Sequence, residues 1–229
     1  MNKTLGIIGG LGPEATSTFY LKVISNYHKH DQLTQPSIII SSVPFTFKTP
    51  EDLIVNQDTD KWLQLLIIEA QRLEKAGVNF LVMPCNTLHC LINELRESVH
   101  IPVVSIVEET CSYVKNLKLS KIGLIATSAT IENKVYGTHF EENGIDYCFP
   151  NELQQIKINK VISNLNHGIR LNVDRAKIMT TIKLLKKEGA KAMCLACTDL
   201  QLLNPNDNEI PILDTVDILA QATVRELLN

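Results

Sequence analysis

The sequence predicts an α/β protein built from two similar parallel-sheet domains, related by an internal duplication with pseudo-twofold symmetry. Three observations predict it. Short, continuously apolar, β-branched runs alternate with longer helical patterns along the 229 residues, as expected of parallel strands covered on both faces by helices. Two segments, Met83-Pro84-Cys85-Asn86-Thr87 and Leu195-Ala196-Cys197-Thr198-Asp199, each place a cysteine and then small polar residues after an apolar run, 112 residues apart. Two more blocks repeat in the same order. Leu5-Gly6-Ile7-Ile8 resembles Ile122-Gly123-Leu124-Ile125 at an offset of 117, and Ile101-Pro102-Val103-Val104 resembles Ile210-Pro211-Ile212-Leu213 at an offset of 109.

In the first half, Leu5 to Gly9, Ser37 to Val43, Phe80 to Met83 and Pro102 to Val107 read as buried strands. Helical patterns fill the intervals: Glu14 to His28, Asp60 to Ala76 and Thr87 to Ser98, the second ending at Gly77, a suitable left-handed cap. The second half repeats the scheme, with strands over Lys121 to Ala126, Ile145 to Phe149, Ala192 to Leu195 and Ile210 to Leu213. Its helices are expected over Glu132 to Glu142, Glu152 to His167, Val173 to Glu188 and Thr215 to Leu228. The domains divide as residues 1–104 and 105–214, with the helix in 215–229 expected to pack back on the first. Asn204 to Glu209 reads as a surface loop.

Composition narrows the function classes. A hydrophobic share of 45% is enough for a sizeable core, and a net charge of −3 offers no basic patch for nucleic acid or an anionic membrane. No apolar stretch approaches the roughly 20 residues of a membrane span. Met1 to Gly12 lacks the pattern of a secretory leader, its glycines breaking the apolar run. Six cysteines are too sparse for a disulfide scaffold in a chain this long, which favours reduced thiols and a cytoplasmic location.

In parallel α/β sheets, ligands bind at the carboxyl ends of strands. Cys85 and Cys197 both lie at such ends, where a following helix N-terminus is expected to lower a thiol pKa from about 8.5. Asn86, Thr87 and Thr198 can cap those helices or bind a carboxylate. Two thiols facing each other across one cleft can take a proton from one face of a carbon and return it to the other. Other signals are weaker. Cys194 and Cys197 spell C-x-x-C, but residues three apart on a strand point to opposite faces, so a shared metal or dithiol is not expected. Gly10-Leu11-Gly12-Pro13-Glu14-Ala15 fits a dinucleotide-loop pattern, yet the next strand ends without the acidic residue that a ribose needs. Its glycines are better read as allowing close approach to a small ligand, with Pro13 starting the helix. His89, one turn beyond Cys85, is a candidate to orient the thiol or a structural histidine. Lys48 is a candidate for a substrate carboxylate or a solvated lysine. Asp199 and Glu14 read first as helix caps and second as aids to proton transfer. Cys90, Cys111 and Cys148 read as core or surface residues.

The segments Gly6 to Thr16, Met83 to His89, Cys197 to Leu200 and Ile210 to Thr215 together resemble the aspartate/glutamate racemase family, and its aspartate racemase branch most closely. The resemblance implies racemisation of an amino acid, most simply aspartate, without pyridoxal phosphate or any other cofactor or metal. Cys85 and Cys197 would be the catalytic pair, with Gly10, Leu11, Asn86, Thr87, Leu88 and Thr198 binding substrate and Lys48 its side-chain carboxylate. Asp199 stands where aspartate racemases mostly carry glutamate and glutamate racemases histidine. A second basic residue expected before a glycine turn is absent from Leu165-Asn166-His167-Gly168. The resemblance also implies a homodimer. Competing readings are a glutamate or broad-specificity amino-acid racemase, a hydantoin racemase or maleate isomerase relative using the same thiols, and a small-carboxylate binding module without turnover.

Overall fold

The structure, a computed structural model, describes residues 3–44 and 59–229. Lys48 lies outside the described residues. Two four-stranded sheets, all parallel, carry helices on both faces. The first holds β1 (Thr4–Gly9), β2 (Ser37–Ser42), β3 (Phe80–Val82) and β4 (Val103–Val104) in the order β2-β1-β3-β4. The second holds β5 (Lys121–Ala126), β6 (Asp146–Cys148), β7 (Ala192–Ala196) and β8 (Ile212–Asp214) in the order β6-β5-β7-β8. These are the same topology twice.

The repeat extends to register. Gly6 pairs with Leu81 and Gly123 with Met193. A methyl on Gly6 would stand 2.6 Å from Leu81 Cδ2, and one on Gly123 would collide with Met193 Sδ. The same missing side chain thus admits the same central-strand neighbour in both domains.

The helices are α1 (Pro13–Tyr27), α2 (Thr59–Lys75), α3 (Ile92–Glu97) and α4 (Ile106–Asn116) around the first sheet. Around the second are α5 (Ser128–Glu132), α6 (Gly137–Glu142), α7 (Glu152–Asn166), α8 (Asn172–Lys187) and α9 (Thr215–Leu228). One apolar core lies between the sheets, joining Leu5, Ile7 and Phe19 to Val107, Ile122, Leu124, Val216 and Leu219. Two outer cores lie under α2 and α3 and under α7 and α8. In the central layer the halves exchange helices. α9, which follows the second sheet, packs along α1 of the first half, while α4 packs on α6 of the second, and α4 and α9 touch each other. Lys22 on α1 reaches Asp214 at 3.2 Å, the residue whose carboxylate caps α9.

Four expected elements take different forms. β2, expected to be buried, is an edge strand exposed along most of its length, with Ser41 buried and Ile38 half-buried. The strand expected over Pro102 to Val107 is only Val103–Val104, because Ser105 caps α4, its hydroxyl accepting the Glu108 N–H at 3.3 Å. The Thr87-to-Ser98 helix is a 3₁₀ turn, Thr87–Leu91, followed by α3. The Glu132-to-Glu142 helix is broken into α5 and α6, with Lys134 between them in the left-handed region at φ 48°. Among the described residues, no helix is long and apolar enough to cross a membrane.

Candidate active site

Four strand ends meet between the domains. Leu11 follows β1, Cys85, Asn86 and Thr87 follow β3, Thr127 follows β5, and Cys197, Thr198 and Asp199 follow β7. Together with Ile162 and Asn166 from α7, they line one cavity of about 20 Å³. That is room for a single water and far too little for an amino acid. Cys85 and Cys197 are both buried in its wall. The pair therefore shares a cavity, which in this form is too tight for an amino acid.

The thiols have matching surroundings. The Cys85 sulfur accepts the backbone N–H groups of Thr87 and Leu88, and the Cys197 sulfur those of Asp199 and Leu200. In each case the donors are the second and third residues after the cysteine, at the mouth of a 3₁₀ turn (Thr87–Leu91 and Leu200–Leu203). The expected depression of the thiol pKa does not survive burial. Desolvation pushes Cys85 up to about 12 and Cys197 well above its ordinary range, while the N–H donors pull the other way. Asp199 raises both further, and Cys85 raises Cys197. The turns are too short to add the field of a full helix. The closed site thus holds both sulfurs as thiols.

The residue two past each cysteine reaches across to the opposite domain. Thr87 Oγ1 shares hydrogen bonds of 3.1 Å with both Thr127 and Thr130, which are themselves 2.8 Å apart. Asp199 lies against the loop after β1, where a methyl built on Gly12 would stand 3.2 Å from Oδ2 and 3.3 Å from Oδ1. Gly12 has φ 115°, a conformation that favours glycine, and any side chain there would press on the carboxylate. Asp199 makes no side-chain capping bond, against the capping expectation. Burial first, and Glu14 second, push its carboxyl up to about 7.

Asn86 and His89 hold this wall in place. The Asn86 amide donates to Thr215 Oγ1 at 3.1 Å and its oxygen accepts the Tyr136 hydroxyl, so the residue preceding α6 and the first residue of α9 fix it. His89 Nε2 accepts the Ile106 N–H at 3.2 Å, which leaves the ring proton on Nδ1, donated to the Cys85 carbonyl at 2.6 Å. Burial lowers its pKa to about 4. His89 is therefore a neutral brace on the Cys85 backbone and does not touch the sulfur. Gly10 stands behind Leu11, its missing side chain making room for Ser42 and Val43, where a methyl would lie 2.7 Å from Ser42 Oγ. Leu88 contributes its N–H to Cys85. Thr198 faces the cavity. Cys194 belongs to the central core and Cys197 to the outer core beneath α7 and α8, so the two thiols diverge as their spacing requires. Among the described residues no group of side chains is arranged to hold a metal.

Sequence reasoning did not single out Thr127, Ile162 or Asn166. Thr127 had an available signal, because it occupies the position in the second domain that Gly10 occupies in the first. Asn166 lies in the Leu165-to-Gly168 turn that the resemblance marked for a basic residue, whereas Ile162 had no signal, since the pattern of α7 reads there only as an amphipathic helix.

Two duplicated α/β domains with a thiol from each at a shared cavity define a two-domain racemase architecture. The chain belongs to the Asp/Glu/Hydantoin racemase family, whose model matches residues 8–223, and it is an amino-acid racemase of that family. It is 30% identical over 229 residues to the broad specificity amino-acid racemase RacX of Bacillus subtilis, covering 98% of each chain. A candidate Asp/Glu racemase from Yersinia pestis superposes with a TM-score of 0.85 at 29% identity, over 99% of this chain and 100% of that one. An aspartate racemase homologue from Pyrococcus horikoshii gives 0.79 at 25% identity, over the full length of both.

Proposed function

We propose that the protein racemises a free amino acid, aspartate foremost, by a two-base mechanism in which Cys85 and Cys197 act on opposite faces of the α-carbon. The observation that carries this reading is the equivalence of the two sulfurs. They sit at corresponding strand ends, with corresponding N–H donors, in the wall of one cavity. One cysteine acts as thiolate and the other as thiol in each direction, and the roles exchange for the opposite enantiomer.

Burial makes either thiolate costly in the closed site. A bound amino acid brings an α-ammonium, whose positive charge offsets that cost, and Asp199 is the anion placed to receive it. The paired N–H groups stabilise a thiolate as it forms, and donors aimed at the substrate carboxylate would spread the carbanion's charge where water is excluded. No cofactor enters this scheme. The six free cysteines suit a reducing compartment such as the cytoplasm.

Aspartate as first substrate draws support from the full-length similarity to an aspartate racemase homologue, and a broader range from the similarity to RacX. The test is an amino-acid panel scored by NMR for α-proton exchange in D₂O, from both enantiomers. Exchange from L- and D-aspartate with accumulation of the antipode is expected. Turnover of maleate or a hydantoin with no amino-acid exchange would overturn the reading.

A further inference from the structure

Each cysteine stands just past a strand of its own domain, so the separation of the sulfurs depends on what joins the ends of β3 and β7. A short buried path joins them. The Asn86 amide donates to Thr215 Oγ1 at 3.1 Å, and Thr215 Oγ1 donates in turn to the Leu195 carbonyl at 3.0 Å. Asn86 directly follows Cys85, and Leu195 precedes Cys197 by two residues. The directions are forced. A carbonyl can only accept, so the single hydroxyl proton goes to Leu195 and the oxygen accepts from Asn86. That turns Asn86 Oδ1 toward the Tyr136 hydroxyl, from which it accepts. Asn86 is 1% exposed, and Tyr136 and Thr215 are fully buried, so water does not compete for these bonds. Thr215 has this place because β8 ends one residue earlier, with Asp214 beside Leu195 in register.

We propose that Thr215 is a positioning residue that sets the separation of the Cys85 and Cys197 sulfurs. This rests on the racemase reading of the cavity. One thiolate alone can take the α-proton, exchange it with solvent and return a deuteron to the same face of the carbanion. That cycle exchanges the proton and keeps the configuration. Inversion needs both sulfurs in line with one α-carbon, and a misplacement of roughly 1 Å can cost about 10²-fold in rate. Loss of the link should therefore depress inversion more than retained exchange. A change that only weakens the fold lowers both together.

The test compares T215V, T215S and T223V in the full-length protein. Valine keeps the shape of threonine without its hydroxyl, and serine restores the hydroxyl. Thr223 is the control, equally buried on the same helix, with its hydroxyl bonded within α9 to the Leu219 carbonyl. In D₂O, from each enantiomer of the best substrate in the amino-acid panel, the ratio of retained exchange to inversion should rise roughly tenfold or more in T215V. T215S and T223V should keep the wild-type ratio. Crystal structures of wild type and T215V should differ in sulfur–sulfur separation by about 1 Å. An unchanged ratio in T215V, or an equal rise in T223V, would overturn the proposal. So would an unchanged separation, a result that needs no turnover. A separation that depends on Thr215 in a protein that turns over no amino acid would instead sink the racemase reading and leave this assignment standing.

Discussion

His89 and Ile106 are joined across the first domain by a hydrogen bond from the Ile106 N–H to His89 Nε2, 3.2 Å long. This bond requires a lone pair on Nε2, so the ring must stay neutral for α4 to begin where it does. Asp199, on the opposite wall, is shifted in the reverse sense.

These two shifts predict opposing pH dependences of stability. His89, lowered from 6.5 to about 4, contributes stability that is fully present above pH 6.5 and is lost as pH falls toward 4. Asp199, raised from 3.8 to about 7, is best tolerated below pH 4 and increasingly destabilises the closed form as pH rises through 7. In the native protein the two slopes largely cancel between pH 4 and 6.5. D199N should remove one of them, raising the melting temperature at pH 8 and leaving a stability that climbs with pH across that window. Melting curves of D199N at pH 4, 5, 6 and 8 check this, and a flat profile contradicts it.

Each cysteine should matter differently from each enantiomer. C85S and C197S are expected to lower racemisation by roughly 10²–10⁴-fold or more, the usual scale for a lost acid or base. Proton exchange in D₂O should persist from one enantiomer only, and from opposite enantiomers in the two variants. A C85S protein that racemises normally would remove the two-base mechanism.

Gly12 and Gly77 separate backbone strain from contact with Asp199. Both have positive φ, 115° and 85°, but a methyl at Gly77 meets nothing within 4 Å, whereas one at Gly12 meets the carboxylate. Both alanine variants should lose about 1–3 kcal/mol from conformation. Only G12A should also lose activity, by displacing Asp199 and the loop after β1. Denaturant unfolding and steady-state rates on the two variants test the distinction.

Much of this was readable in the chain. The β1 and β5 segments, both all-buried runs at β3 and β7, and the start of α9 at Thr215 follow from short, largely apolar stretches and the capping residues that end them. The cysteine pair was legible because the duplication repeats the strand, the thiol and the small polar residues together. The misreadings have local causes. Val103-Val104 and Ile106-Val107 flank a single serine, and only the Ser105 hydroxyl decides that the helix takes over at Ile106. The break at Lys134 falls on residues without a glycine or proline, and Gly137 stands only where α6 begins. The thiol pKa values turned on burial, which depends on how closely the two domains approach. No spacing within either motif encodes that approach.

The swapped helices of the central layer also have a consequence for synthesis. The inner face of the first sheet and α1 are finished by α9, whose residues Thr215–Leu228 leave the ribosome more than a hundred residues after β4. Until then Phe19, Val23 and their neighbours lack their final apolar cover, so the earlier half must wait, partly unsealed, for the later one. Cutting the gene between the repeats would therefore yield two aggregation-prone fragments, each missing a wall that the other carries.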